Sequence, residues 1–117
     1  MNQDGKSGEA RAVKLLRDHG HSIIERNFSC RYGEIDIISY DGAVVFSEVK
    51  MRTSDSYGGA SAAVTKTKQQ KILKTARLYL QQNPERALYA CRFDVIAIEQ
   101  GYRGLTVTWI KSAFIDS

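Results

Sequence analysis

The chain is 117 residues long, 43% hydrophobic and 26% charged, a composition that suits one folded domain (1–117) and excludes an extended disordered protein. No run approaches the roughly 20 apolar residues of a membrane span, and the polar start, Met1 to Lys6, lacks the apolar stretch of a signal peptide, so a cytosolic protein without a membrane partner is expected. A formal charge of +4 and a pI near 9.2 admit an anionic partner, while Cys30 and Cys91, without CxxC spacing, read as reduced thiols and point to neither a zinc site nor a disulfide framework.

In chain order, residues 8–19 set Ala12, Val13, Leu15 and Leu16 among charges and stop at Gly20, which predicts a first helix. Residues 21–28 carry Ile23, Ile24 and Phe28 and predict a strand, and 31–33 a connection. A hairpin follows, with arms at 34–40 and 44–51 around Asp41-Gly42. Both arms are apolar on both faces, as strands in the middle of a covered sheet are. Polar residues 53–59 read as a loop. Residues 60–83 space Val64, Ile72, Leu73, Ala76, Tyr79 and Leu80 as a long helix, and Pro84, the only proline, stands just past its end. Alternation over 88–99, a turn at Gly101 to Gly104 and a further run over 105–111 predict two last strands. The expected fold class is α/β: a mixed five-stranded sheet flanked by helices in the order α-β-β-β-α-β-β.

Charge interrupts the two central strands at Asp36 and at Glu48-Val49-Lys50. Ionised groups on a strand fit for burial are costly unless paired, solvated or bound to a cation. Spacing alone leaves two readings side by side: a structural ion pair of Lys50 with Asp36 or Glu48, and a metal site. Loop length separates them. A two-residue turn at Asp41-Gly42 would pair Tyr40 with Ala43 and send the carboxylates to opposite faces, whereas a three-residue loop pairs Tyr40 with Val44 and sets Asp36 opposite Glu48. In the second register Lys50 shares Glu48's face, and two neighbouring carboxylates call for a proton or a hard cation such as Mg²⁺.

The order Asp36, then Glu48-Val49-Lys50, resembles the D…ExK signature of restriction-endonuclease-like nucleases. A longer ordered set, Gly8-Glu9-Ala10, Arg26-Asn27-Phe28, Gly33 to Ile38, Phe46 to Arg52 and Arg92-Phe93-Asp94, closely resembles the YraN-like uncharacterised family of bacterial predicted endonucleases over nearly the whole chain. That family is similar to archaeal Holliday-junction resolvases. The resemblance implies that Asp36 and Glu48 ligate Mg²⁺, with Mn²⁺ as a substitute, that Val49 offers a backbone carbonyl, and that Lys50 orients the attacking water. It also implies that Glu9, on the first helix, is a further metal or water ligand, and that a homodimer forms. Ile35 stands where the motif's proline would be, and Ser47 where an apolar residue is usual.

From Lys50 to Arg77 seven cations (Lys50, Arg52, Lys66, Lys68, Lys71, Lys74, Arg77) face one acid, Asp55. Such a run serves equally as the wet face of a helix or as a phosphate-binding surface; its nearly unbroken sign favours phosphate, through Arg52, Lys66, Lys68, Lys71 and Lys74. His19 and His21 flank Gly20 and read as surface residues, Glu34 as a solvated one, Tyr57 with Gly58-Gly59 as a connector or a loop over nucleic acid, and Trp109 as core. The expected function is Mg²⁺-dependent hydrolysis of nucleic acid, branched DNA by analogy. The alternatives are a noncatalytic nucleic-acid-binding module of the same fold and a structural subunit.

Overall fold

The computed structural model describes residues 3–53 and 64–116. Helix α1 (Gln3–Asp18) leads into β1 (Ser22–Cys30), β2 (Gly33–Tyr40) and β3 (Val44–Thr53), followed by α2 (Lys66–Gln82), a 3₁₀ turn (Arg86–Leu88), β4 (Cys91–Gly101) and β5 (Gly104–Phe114). The strands lie in sequence order in one mixed sheet, each antiparallel to its neighbour except β3 and β4, which run parallel. The expected α/β order and five-stranded sheet are therefore observed. A parallel pair needs a crossover connection, and the chain between β3 and β4 carries α2 for that purpose.

The two helices cover opposite faces. Along β3, Val44 and Phe46 pack with Ile72, Leu73, Ala76 and Tyr79 of α2, while Val49 and Met51 join Ala12, Val13 and Leu16 of α1. Burial on both faces is what the two-sided apolar pattern of the hairpin required. The hairpin loop has three residues: Tyr40 pairs with Val44, Asp41 Oδ1 accepts from Ala43 N–H at 3.3 Å, and Gly42 takes the left-handed backbone (φ 104°) that the turn needs.

Several sequence expectations shift. The first helix begins at Gln3 rather than residue 8. The second begins at Lys66 and excludes Val64, because Thr65 turns extended and its hydroxyl accepts from Lys68 N–H at 3.1 Å, an N-cap that starts the helix there. Residues 54–63, with the Tyr57-Gly58-Gly59 loop and the expected start of that helix, lie outside the described residues. Leu88 belongs to the 3₁₀ turn and is exposed, so β4 starts only at Cys91. His21 is 5% exposed: its Nδ1 meets Ser39 Oγ at 2.9 Å and its Nε2 lies 3.2 Å from Asp41 Oδ2, partners from β2 and the hairpin loop that local sequence does not reveal. Trp109 is half-buried, edge-on to both His19 and His21. Among the described residues no helix is long and apolar enough to cross a membrane.

Candidate functional site

The site begins with a fault in the sheet. β2 and β3 pair from Tyr40 and Val44 as far as Ile37 and Ser47, and the ladder goes no further. Just there, alternation breaks: Ile37 packs on the α1 side, but Ile35, two residues away, packs with Ile72 and Tyr79 on the α2 side. The neighbouring strand breaks at the same level, since Asn27, between the pairs Arg26–Ile37 and Phe28–Ile35, has φ 55°, a left-handed conformation that asparagine tolerates better than most residues. The faulted β2 turns the Asp36 carboxylate toward β3, where Oδ2 accepts the Val49 N–H at 2.7 Å. A side chain thus replaces the next backbone rung.

This brings the two acids together. Asp36 is buried, Glu48 half-buried and within hydrogen-bonding reach of it, the three-residue loop having set the register that sequence reasoning needed. Burial and the Glu48 charge push the Asp36 carboxyl up to about 7, against the pull of the Val49 N–H, and burial also raises Glu48. A proton or a cation is the species that would relieve the repulsion between them. Glu48 Oε2 has a counter-charge at 3.5 Å, Lys68 Nζ from α2. The ion pair to Glu48 therefore includes a lysine that the sequence reading had assigned to phosphate.

Glu48, Lys50, Val64, Thr65 and Lys68 line a cleft of about 260 Å³. Lys50, two residues along the strand, is half-buried with Glu48 and Lys68 in its electrostatic surroundings, and burial, with Arg52 and Lys68, lowers its pKa. Arg52 follows, also half-buried. Glu9 approaches from α1, close enough to add to the charge felt by Asp36, with its Oε1 3.6 Å from Arg26 Nη2. Gly8 makes this approach possible: a Cβ there would stand 2.2 Å from Met51 Sδ, so any larger residue would have to displace Met51 or lift α1 off β3. Val49 meets the site through its amide. Lys66 and Lys71 are exposed on α2, Lys74 likewise, one turn beyond Lys71. Among the described residues no three His, Cys, Asp or Glu side chains are gathered as a metal-holding group. The donor chemistry that is present, two oxygen ligands competing for one positive charge, fits a hard divalent cation with water or phosphate completing its shell.

Sequence reasoning missed two contributors. Asn27 and Arg26 shape the site from β1; the sequence offered them only as part of the Arg26-Asn27-Phe28 motif, with no role attached. Asp94, by contrast, is removed from this chemistry: it accepts from Arg92 Nε, from Trp109 Nε1 at 2.9 Å and from Ser112 N–H at 3.0 Å, and so pins β5 where its register shifts.

The model of a family described as Uncharacterised protein family UPF0102 matches residues 8–98. A UPF0102 protein of Stutzerimonas stutzeri (strain A1501) is 45% identical over 111 residues, spanning 94% of this chain and 92% of that protein. One from Pseudomonas syringae pv. tomato is 46% identical over 118 residues (96% and 92%), and one from Nitrosomonas europaea 41% over 114 (97% and 94%).

Proposed function

Since the chain belongs to the uncharacterised protein family UPF0102, whose YraN-like motifs it carries, we propose that it is a Mg²⁺-dependent nuclease acting on structured DNA. One observation carries the reading: β2 leaves the ladder at the residue whose carboxylate then meets Glu48 beside a lysine-lined cleft. A fold gains no stability from placing a buried acid against a half-buried one, so the arrangement favours a cation-binding role. Asp36 and Glu48 would hold the Mg²⁺, with Glu9 reaching it through water; Mn²⁺ has the same preference for oxygen ligands. Bound there, the ion supplies Lewis-acid polarisation of the phosphate and a more acidic water. Lys50 orients the attacking water from Glu48's side of the strand. Lys68 stabilises charge that grows on the phosphate, in a cleft where water screens it less than in bulk. The Val49 N–H fixes Asp36 in place before substrate arrives.

The Lys68–Glu48 pair supports a second reading, a noncatalytic nucleic-acid-binding module in which Lys68 permanently takes the cation's place. A cleavage screen with Mg²⁺ and Mn²⁺ over single-stranded, duplex, flap and four-way-junction DNA, with a Glu48→Ala control, decides between them. Metal-dependent cutting that disappears in the control is expected. Binding without cutting of any substrate would leave only the module.

A further inference from the structure

We propose that Arg31, Tyr32 and Lys74 form a phosphate-binding subsite that holds one strand of nucleic acid beside the carboxylate cleft; the proposal rests on the nucleic-acid part of the function above. Arg31 and Tyr32 are the two residues of the tight turn between β1 and β2, whose flanking residues Cys30 and Gly33 pair. The turn is tied to α2. Cys30 Sγ accepts from Tyr32 N–H at 3.4 Å and lies 3.7 Å from Thr75 Oγ1, next to Lys74 in the helix. Against this corner opens a cleft of about 320 Å³ lined by Arg31, Tyr32, Lys74, Arg77, Leu78 and Gln81, a lining with three cations and no acid.

Arg77 is held by Asp116. Arg31 and Lys74 instead converge on one neutral ring: the guanidinium carbon is 4.9 Å from the Tyr32 centroid, with Nη2 donating to the phenol oxygen at 2.9 Å, and Lys74 Nζ is 5.9 Å from the same centroid. Tyr32 thus orients two like charges that repel each other, and an anion between them would turn that repulsion into attraction. The guanidinium fork and the mobile ammonium suit a phosphate oxygen pair.

The position of the corner identifies a polymeric anion. Lys68 stands at Glu48, Lys71 packs beside Gly33, and Lys74 reaches Tyr32, so cations recur every three residues along α2 from one cleft to the other. Six helical residues advance about 9 Å along the axis and carry the second lysine about a third of a turn round the helix, so the two cations are separated by at least about three nucleotides of a stacked strand. A strand whose scissile phosphate lies at Asp36 and Glu48 therefore places a later phosphate at Arg31 and Lys74.

The test is binding of a fluorescent single-stranded oligonucleotide in EDTA, titrated with salt, for wild type, Arg31→Ala, Lys74→Ala, the double variant, Tyr32→Leu and, as a control, Lys111→Ala. Two cations on one phosphate predict that the double variant loses about 0.7 from the log–log salt slope, the share of one phosphate of a single strand, and about tenfold in affinity. Each single variant should lose most of that, and Tyr32→Leu should weaken binding because the two cations are no longer held. Lys111→Ala should change nothing. If wild type binds but the double variant keeps its slope and affinity, or if the single losses simply add, the shared subsite is wrong while the nuclease reading stands. If wild type binds no nucleic acid at low salt, both fall. Melting curves identify any variant that fails to fold, and Arg31→Gln with Lys74→Gln then replaces it.

Discussion

At the scale of single residues, the buried groups Asp36 and His21 have pKa shifts whose consequences run in opposite directions. Asp36 is raised from 3.8 to about 7, so between those values the native state binds more protons than the unfolded chain, and stability declines as pH climbs through that window. Asp36→Asn keeps an acceptor for the Val49 N–H and removes the repulsion. It should melt higher than wild type at pH 8 without metal, by roughly 1–3 kcal/mol of stability, and match it near pH 4. It should also lose the rise in melting temperature that Mg²⁺ gives wild type. A variant less stable than wild type at pH 8 would mean that Asp36 serves the fold. His21 is the converse case: burial, only partly offset by Asp41, holds its pKa below 6.5. The unfolded chain then takes up the extra proton, so this contribution is complete above pH 6.5 and is lost as pH falls toward the native value. Because Asp36 pulls the other way across the same range, the His21 contribution is read in an Asp36→Asn background: urea unfolding at pH 5, 6 and 7.5 should show stability falling toward low pH there, and less so when His21→Gln is added. Parallel profiles would remove His21 as the cause.

At the scale of elements, what could be read in the sequence was whatever depends on local pattern. The apolar spacing of Ile72, Leu73, Ala76 and Tyr79 marked α2, and Asp41-Gly42 marked the hairpin, because periodicity and turn chemistry act within a few residues. The sequence left the Asp36–Glu48 pairing open between two loop lengths, and the three-residue loop sets the register in which they can meet. The paired fault at Asn27 and Asp36 was not legible, since it is a relation between two strands. Nor was the contact of Lys68 with Glu48, which depends on how α2 lies across β3. The fault has a direct test. Asn27→Gly should leave stability within about 0.5 kcal/mol, as glycine accepts φ 55° freely, whereas Asn27→Val should cost about 1–3 kcal/mol and weaken any Mg²⁺-dependent stabilisation by letting β2 straighten. Equal stability of the two variants would show that the left-handed residue is incidental.

At the scale of the whole molecule, the cations along α2 do not share one role. The basic run that looked like one helix face divides: Lys68 serves the acids, Arg77 serves Asp116, and Lys66, Lys71 and Lys74 remain exposed on α2. If these three meet a nucleic-acid backbone, replacing them together with alanine should lower the salt slope of duplex binding by up to about 0.9 for each phosphate released, whatever the base sequence. An unchanged slope would return them to the role of solvated side chains.

The single parallel pairing, β3 with β4, also governs the order in which this chain becomes a protein. Everything from α1 through the β2–β3 hairpin can form from near neighbours, but the ten-residue ladder from Val44–Cys91 to Thr53–Gln100 waits until the whole crossover has been made and closed. Until β4 is made, β3 is thus an open edge, apolar on both faces. Glu48 and Lys50 stand on that edge, with the Asp36 carboxylate reaching it from β2. Charge on an otherwise apolar edge strand is a physical device against pairing with another chain, so the side chains that interrupt β3 would protect the half-made sheet until β4 covers it.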